Sequence, residues 1–472
     1  MTADPFLPRI AIIGAGPAGL RAAAALVASG LRPILLNEAP EPGGQIYRRP
    51  PPALRDALAP AELYGPDANR ALALHDGFCA MADRLDHRGG TLVWNATARD
   101  RGGFRLFVHG AGGEQEALDC DALILATGAM DRVLPMPGWT LPGVWSLGGA
   151  QVMLKGQANL VGRRPVFAGS GPLLYLVAWQ YAKAGGTPAA VIDASTLRAK
   201  LRAAPWLAAR PGVLLRGLAM AAALRARGVL VLEGSHAERI ETTDTGLCVD
   251  WSGPRGTGQV TGDAVAIGHG LKPEHQLADL LGCASHHDSS AQQWLITTDP
   301  EGRTSVPGVY LAGDISGIRG GHAAETAGEL SALALLADQG RGDFTHRRAK
   351  LCRALTRQDS FRKGLEIAFP FPTDRIANLP DATMVCRCEG LHAGDLRRAI
   401  DHWQPADVNR LKAMTRCGMG RCQGRLCGEI AAGLLAAQSG RFVAEIGHLR
   451  GQAPVKPLPA PVHGCLMGDR SE

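Results

Sequence analysis

Two glycine-rich loops, each set between a short apolar strand and a helix, constrain the fold of this 472-residue chain most strongly. In the first, the apolar run 10–13 leads into Gly14-Ala-Gly16-Pro-Ala-Gly19, and an Ala-rich helix follows to about Ser29. A second apolar run then ends at Glu38. Continuous apolar strands of this kind are typical of a parallel sheet that is buried on both faces. The order strand, glycine loop, helix, strand and acidic residue predicts a dinucleotide-binding unit.

Each residue type in the first loop has a physical role. Gly14 permits a tight turn, Gly16 lets the backbone approach a pyrophosphate, and Gly19 lets the helix pack closely on its strand. The helix starts at Pro17-Ala18, where free N–H groups and the helix dipole favour phosphate. Glu38 can accept hydrogen bonds from ribose hydroxyls, which favours an adenosine that carries no 2′-phosphate.

The same pattern returns near the middle of the chain. The run 165–167 leads into Gly169-Ser-Gly171-Pro-Leu-Leu174, and the next apolar run ends at Asp193. Leu174 replaces the third glycine, so we expect the helix to pack less closely on its strand. Gly169, Gly171 and Asp193 are the positions at which NAD or ATP would bind. A retained fold without a ligand is the equal alternative.

Several short motifs after the first unit, taken in order, favour FAD as its dinucleotide. A Gly-Gly-Gln loop, an Ala-Thr-Gly strand end and a late Gly-Asp pair followed by a helix are typical of flavoproteins with two dinucleotide domains. The late carboxylate would bind the ribityl chain, and the following helix would direct its positive end at the flavin pyrimidine. A helix-capping role for the late carboxylate is the alternative. The cofactor positions expected here are Gly44, Gln45, Ala98, Thr127, Gly128, Gly313, Asp314, Gly321, His322 and Ala323.

Cysteines are crowded near the C-terminus. Eleven occur in the chain, and five of them fall between residues 386 and 427. A Cys-x-Cys pair and a later pair separated by four residues, both among glycines, can enclose one metal centre, because glycine N–H groups point readily at thiolate sulfurs. Zinc sites commonly use wider spacing in the first pair, so this pattern favours an iron–sulfur cluster over zinc. Spacing leaves Cys417 as a competing ligand, and we predict the set Cys386, Cys388, Cys422 and Cys427.

Composition and the absence of certain motifs argue against several other classes of protein. The odd cysteine count and the lack of an export signal disfavour a disulfide framework, and no Cys-x-x-Cys motif supports a dithiol reductase. The net charge of +6 comes without basic blocks, so nucleic-acid binding is not expected. No apolar run is long enough to span a bilayer. We expect a cytoplasmic chain that reaches the inner membrane only through an electron acceptor.

These patterns predict an α/β flavoprotein with five segments. An FAD-binding domain is formed by residues 1–155 and 292–345, and a Rossmann domain of the NAD type is inserted at 156–291. Residues 346–380 form a linker with a helix, residues 381–440 a 2Fe–2S domain, and residues 441–472 an extended tail.

The combination resembles the α subunits of heteromeric dye-linked dehydrogenases. That family includes opine (octopine and nopaline), D-hydroxyproline and L-proline dehydrogenases and the B subunit of hydrogen cyanide synthase. The motifs that carry the resemblance cover most of the chain and are 14–19, 43–45, Pro137-Gly-Trp-Thr-Leu-Pro-Gly143, 169–174, Gly268-His-Gly270, Gly313-Asp314 and 416–427. The C-terminal segment is similar to bacterioferritin-associated ferredoxin, abbreviated BFD.

The resemblance carries further implications. A degraded second loop is typical of the family, and an apolar residue is common at the position of Cys417, which supports the predicted ligand set. In such proteins a separate β subunit with its own FAD oxidises the substrate. The resemblance also implies a small γ subunit, FMN at a subunit interface and a quinone or other electron acceptor.

The leading hypothesis is therefore an electron-transfer subunit of an opine or related imino-acid dehydrogenase. A self-contained NAD(P)H-dependent reductase is the second hypothesis, and it rests on Asp193 and the second loop. The third is a non-enzymatic docking or sensory protein.

Overall fold

The computed structural model describes residues 7–55 and 59–459. Its first unit is built on a parallel sheet of five strands, as the buried apolar runs predict. In spatial order the strands are Val309–Leu311, Ala122–Leu125, Ile10–Ile13, Ile34–Asn37 and Asp86–Gly89. The helices that cover one face are Pro17–Ala28, Ala68–Met81 and Gly321–Asp338, with the short helices Pro52–Arg55 and Pro60–Tyr64 beside them.

Small residues allow the two central helices of this unit to touch. A Cβ atom on Gly328 would lie 2.0 Å from the carbonyl oxygen of Ala18, so the helix Gly321–Asp338 crosses the helix Pro17–Ala28 almost backbone to backbone. This crossing brings the start of the late helix next to the first glycine loop. The packing therefore assembles one site from residues about 300 positions apart.

A three-stranded antiparallel sheet packs on the opposite face of the first unit. Its strands are Leu92–Ala98, Phe104–His109 and Gln115–Cys120. Buried side chains alternate along Phe104–His109, where residues 104, 106 and 108 are in the core. Such alternation is expected of an antiparallel strand with one face on the core.

The second unit repeats the architecture. Its parallel sheet has the spatial order Leu230–Glu233, Ala190–Asp193, Val166–Ser170, Val265–His269 and Val144–Ser146. The helices around it are Leu147–Gln157, Pro172–Lys183, Leu197–Leu207 and Pro211–Ala226. An antiparallel sheet, His236–Thr243, Gly246–Gly253 and Gly256–Gly262, completes the unit.

The observed boundary of the inserted unit differs from the predicted one at 155/156. Val144–Ser146 pairs with Val265–Ile267 of the second sheet, and the helix Leu147–Gln157 packs in the same core. The chain returns to the first unit before the predicted residue 292, because Leu277 and Cys283 lie in the first unit's core. Short antiparallel ladders, Ala129–Asp131 with Leu271–Pro273 and Ser285–Asp288 with Gln293–Ile296, lie at this return, together with the helix Gln276–Leu280.

The predicted linker contains the longest helix, Thr345–Ala368, which packs against Leu197–Leu207. Beyond it lies a small C-terminal lobe with its own core. Its elements are Asp374–Ala377, Met384–Cys386, Leu391–His392, Ala393–Trp403, Val408–Thr415, Gly428–Ser439 and Val443–Ile446. The predicted extended tail, 441–472, differs at its start, because the helix Val443–Ile446 lies within it and Ile446 packs in the lobe's core. Residues 447–459 contain no helix or strand, and the rest of the tail, including Cys465, falls outside the described residues.

The helices in the described ranges differ in length and in apolar character. None of these helices combines the length and the apolar character that a bilayer crossing needs.

Candidate flavin and iron–sulfur sites

The first glycine loop has the geometry that its sequence predicts. Gly14 has φ +107°, and a Cβ atom there would lie 2.3 Å from the carbonyl oxygen of Ala126 on the neighbouring strand. At Gly19 a Cβ atom would lie 1.8 Å from the carbonyl oxygen of Gly14. Both positions therefore require glycine for the backbone to pack.

Gly16 is different, because nothing in the described part of the chain excludes a side chain there. Its φ is −76°, and the nearest atom to a Cβ on Gly16 is Gly44 Cα at 3.8 Å. Gly44, in the Gly-Gly-Gln loop, faces it from the other side, and Gly128 has open space around it. The result is an open cradle between backbone segments at a helix N-terminus, which fits the pyrophosphate of a dinucleotide.

Asn37, which no sequence motif pointed to, links the backbone segments of this cradle. Its Oδ1 accepts a hydrogen bond from the Ala15 N–H at 3.2 Å, and its Nδ2 donates to the carbonyl oxygens of Ala39 and Glu41 at 2.7 and 3.0 Å. The only sequence signal for this role is its place at the end of the second strand. The adjacent Glu38 is exposed, as a ribose ligand must be, and it forms an ion pair with Lys456 of the tail.

The predicted ribityl and flavin positions gather where the late helix begins. Asp314 Oδ1 accepts from the N–H groups of Arg319 and Gly320 at 2.8 and 3.0 Å, which leaves Oδ2 to accept from a ligand. Asp314 therefore stabilises the turn before the helix, as the helix-capping alternative predicts. Its second carboxylate oxygen is still available to a ligand. Burial raises the pKa of Asp314, and those two N–H groups oppose the rise.

The loop that contains Gly44 and Gln45 closes against this helix start. A Cβ atom on Gly321 would meet the Ile46 side chain at 2.9 Å, and Gln45 Oε1 accepts from Arg48 at 3.0 Å. Lys155 also reaches this loop: its Nζ donates to the Ile46 carbonyl oxygen at 3.2 Å, and burial lowers the pKa of Lys155 to about 8. Lys155 lies in no motif that the sequence presents, so only the fold reveals this contact.

Three predicted cofactor residues have different surroundings. Ala323 is buried in the first core, whereas His322 is exposed and contacts the Arg70 guanidinium. Ala98 is exposed at the end of a strand in the three-stranded sheet.

The second glycine loop keeps its backbone form, but its acidic residue is already engaged. Gly169 and Gly171 have φ values of +143° and +106°. Asp193 has no exposed surface, and it accepts hydrogen bonds from the Tyr175 hydroxyl at 2.7 Å and the Ser195 hydroxyl at 2.6 Å. A ribose could bind Asp193 only by displacing partners inside the chain, which corrects the expectation that this carboxylate is available.

The five clustered cysteines come together in the C-terminal lobe. The Sγ atoms of Cys386, Cys417 and Cys427 all lie within 4.8 Å of one another. The Cys422 thiol is hydrogen-bonded to Cys427 and to Cys388. The structure thus brings together the four predicted ligands and Cys417, and the choice of four among the five remains a prediction.

The surroundings of these sulfurs fit an anionic iron–sulfur cluster. Backbone N–H groups of Gly418 and Glu389 donate to Cys386, and those of Leu426 and Gly424 donate to Cys422. Hydrogen bonds from neighbouring thiols, with Cys417 first, lower the pKa of Cys386 to about 2. Thiolate sulfurs that receive N–H donors in a compact, largely buried site are what a 2Fe–2S cluster requires.

The cysteine lobe is docked on the flavin unit through buried polar contacts. Arg132 is 3% exposed and binds Glu429, the second residue after Cys427. Burial opposes the charge of Glu429, but Arg132 and Lys272 together hold its pKa below the usual value. Trp139, from the proline-rich crossover, donates through Nε1 to the Met384 carbonyl oxygen at 2.7 Å. These contacts give the lobe a defined orientation.

Comparison with known families agrees with the two sites. Residues 8–329 match the pyridine nucleotide-disulphide oxidoreductase family, and residues 384–437 match the BFD-like [2Fe-2S] binding domain. The chain therefore belongs to the pyridine nucleotide-disulphide oxidoreductase family and carries a C-terminal BFD-like domain. It is an oxidoreductase subunit of the dehydrogenase type with FAD and a 2Fe–2S cluster as cofactors, which confirms the predicted fold class and these cofactors.

More specific similarity extends over almost the whole chain. The A subunit of opine oxidase from Agrobacterium tumefaciens (strain Ach5) is 34% identical over 95% of this chain and 89% of its own length. The hydrogen cyanide synthase subunit HcnB of Pseudomonas aeruginosa is 33% identical over 96% of this chain and 97% of its own. These relatives confirm the resemblance inferred from the motifs.

A solved structure shares the overall fold. L-proline dehydrogenase from P. horikoshii superposes with a TM-score of 0.68 at 17% identity, covering 97% of this chain and 79% of the other. At that identity the match supports the architecture alone.

Proposed function

We propose that this chain is the electron-transfer subunit of a heteromeric dehydrogenase that oxidises an opine or a related imino acid. The substrate would be oxidised on a partner β subunit with its own FAD. The present chain would pass the electrons through its FAD and 2Fe–2S cluster to a quinone or another acceptor other than oxygen. FMN at the subunit interface and a small γ subunit complete the proposed complex.

The observation that carries this proposal is the docking of a five-cysteine lobe on a complete flavin-binding unit. A 2Fe–2S cluster exchanges one electron at a time, whereas a flavin can exchange two, so the pair suits transfer between different carriers. Buried contacts such as Arg132 with Glu429 hold the two parts together. A fixed arrangement of this kind favours electron transfer over a separately mobile sensory domain.

The names of the relatives support the opine assignment. The A subunits of opine oxidases from two species are 33–35% identical to this chain along most of its length. Hydrogen cyanide synthase and D-hydroxyproline dehydrogenase are the alternatives within the same proposal. We place the complex in the cytoplasm, with the inner membrane reached through the quinone.

A self-contained NAD(P)H-dependent reductase is the second candidate. The favourable observation is the intact backbone of the second loop, in which Gly169 and Gly171 keep positive φ values. The internal partners of Asp193 argue against it, because the usual ribose carboxylate is occupied.

One experiment compares the chain alone with the chain purified together with its co-expressed partners. Flavin type, iron, labile sulfide and subunit sizes are measured first, and an opine is then added without oxygen. We expect flavin bleaching in the complex and none in the isolated chain. Full-rate opine oxidation by the isolated chain would refute the proposed division of labour.

A further inference from the structure

A largely buried ion pair joins the flavin unit to the cysteine loop. Arg425 donates through Nε to Glu274 Oε2 at 2.6 Å and through Nη2 to Oε1 at 3.0 Å. The two side chains are only 14% and 12% exposed. This two-pronged geometry is the strong form of a charge-assisted hydrogen bond, since it fixes orientation as well as distance.

On the flavin side, the backbone of Glu274 holds the Ala-Thr-Gly strand end. The Glu274 N–H donates to the Gly128 carbonyl oxygen at 3.0 Å, and the Thr127 hydroxyl donates to the Glu274 carbonyl oxygen at 2.5 Å. Thr127 and Gly128 are cofactor positions predicted from the sequence, and they follow the strand that packs beside Gly14. Glu274 thus contacts the backbone that borders the cradle of the FAD.

On the cluster side, Arg425 lies between two predicted cluster ligands in the sequence. Its backbone N–H and its Nη1 donate to the carbonyl oxygen of Cys422 at 3.1 and 3.3 Å. A second bond runs beside it, from Gln276 Nε2 to the Gln423 carbonyl oxygen at 2.8 Å. The guanidinium therefore holds the loop that carries Cys422 directly against the flavin unit.

We propose that Glu274 and Arg425 are positioning residues, which set both the distance between cluster and flavin and the charge that the cluster experiences. This inference rests on the proposed electron-transfer function. Reduction adds one negative charge to the cluster, so a nearby uncompensated cation favours the reduced form and an uncompensated anion opposes it. In the native pair, Glu274 cancels the charge of Arg425.

The charge argument gives opposite signs for two charge-neutralising variants, of which only Glu274→Gln is isosteric. Glu274→Gln leaves Arg425 uncompensated and raises the cluster's midpoint potential, whereas Arg425→Gln lowers it. At a fixed ambient potential the ratio of reduced to oxidised cluster changes about tenfold in each direction, as expected of a unit charge near a partly buried site. The double variant returns close to wild type.

The experiment is a redox titration of the full-length chain followed by electron paramagnetic resonance. Iron, sulfide and FAD contents are measured on every variant, and the rate of cluster reduction is recorded after photochemical reduction of the flavin. Both single variants slow this step because both weaken the docking, and Arg425→Lys restores part of the rate. Asp338→Asn, which breaks another bidentate pair with Arg303 away from the cluster lobe, serves as the matched control.

The outcomes separate this inference from the proposed function. Potentials that stay unchanged, or that shift in the same direction in both single variants, overturn the role of the pair even when electron transfer occurs. A wild-type chain that contains no cluster, or whose cluster is never reduced by flavin, overturns the proposed function itself.

Discussion

Lys200 places its Nζ 2.8 Å from Asp193 Oδ2 and 2.7 Å from Glu233 Oε1, at the ends of two neighbouring strands of the second sheet. Asp193 is completely buried, and Tyr175 shares the same carboxylate oxygen. The Lys200 cation thus engages the carboxylate that hydrogen-bonds the ribose of a dinucleotide in related folds. The second unit therefore keeps its architecture while its usual recognition carboxylate serves the core.

NADH is consequently expected to leave the bound FAD oxidised. The measurement is the visible absorbance of the purified chain mixed anaerobically with excess NADH. Rapid bleaching would show that the second loop binds a nicotinamide cofactor productively despite the engaged Asp193.

The buried pair of Asp193 and Lys200 supports a prediction about stability. Asp193→Asn leaves Lys200 without its buried partner and should cost about 3 kcal/mol, the usual order for breaking a buried pair. Asp250→Asn, in the exposed pair with Arg239, should cost less than about 1 kcal/mol. Thermal or denaturant unfolding compares the two variants, and equal losses would contradict a structural role specific to Asp193.

Two alanine substitutions in the first glycine loop separate cofactor binding from folding. Gly16→Ala has room in the chain but would project into the cradle, so FAD affinity should fall by about tenfold or more, or ~1.4 kcal/mol, without loss of fold. Gly19→Ala should destabilise the chain itself by about 2 kcal/mol, because its Cβ collides with the Gly14 carbonyl oxygen. FAD titration and unfolding of the apoprotein measure the two effects. Unchanged FAD affinity in Gly16→Ala would place the pyrophosphate elsewhere.

The predicted ligand set is tested by five single cysteine variants. Serine at Cys386, Cys388, Cys422 or Cys427 should abolish or strongly alter the 2Fe–2S spectrum, whereas Cys417→Ala should retain it. Cys283→Ala is the matched control, because Cys283 is a buried cysteine in the core of the first unit. Its thiol donates a hydrogen bond to the Thr304 hydroxyl. Iron and labile sulfide contents with electron paramagnetic resonance decide the outcome, and loss of the cluster in Cys417→Ala would require a different set of four.

Stability should fall as the pH is lowered from 7 to 5, and His75 should account for part of the loss. Burial, followed by the charge of Arg49, lowers the pKa of His75 to about 4, and the ring contacts the Tyr47 carbonyl oxygen at 3.1 Å. Between pH 6.5 and 4 the unfolded chain binds a proton that the folded chain does not, so acid favours unfolding.

The contribution of this one ring is about 2 kcal/mol at pH 5. His75→Gln should therefore flatten the pH dependence of the unfolding midpoint. The residual slope comes from other buried rings such as His269, whose pKa burial lowers to about 3. If the unfolding midpoint depended on pH equally in His75→Gln and wild type, His75 would not contribute to the loss of stability in acid.

Patterns local in the sequence predicted the repeated units well. The strand Ile10–Ile13 coincides with the predicted apolar run, the strand Ala190–Asp193 ends at the predicted residue, and the helix Gly321–Asp338 follows the late Gly-Asp pair as expected. A buried strand and a glycine turn are specified by neighbouring residues, so local reasoning is sufficient for them. Local motifs also predicted FAD and an iron–sulfur cluster, which the family comparisons confirm.

Contacts between residues far apart in the sequence could not be predicted from local patterns. Val144–Ser146 is only three residues long, and its partner strand begins at Val265, so its membership of the second sheet depends on a pairing about 120 residues away. The availability of Asp193 depended on Tyr175 and Lys200, whose side chains could satisfy it only after the fold brought them there.

The sequence by itself determined two dinucleotide folds, a flavin signature and a cysteine-rich C-terminal lobe. Each of them depends on a short run of residues whose types suit one backbone shape or one ligand. Only the tertiary structure decided that Cys417 lies among the predicted ligands, that the second acidic residue is occupied, and that Arg425 meets Glu274. The physical reason is that these outcomes depend on distance and burial between residues remote in sequence. Such relationships arise when the chain packs, and no local pattern records them.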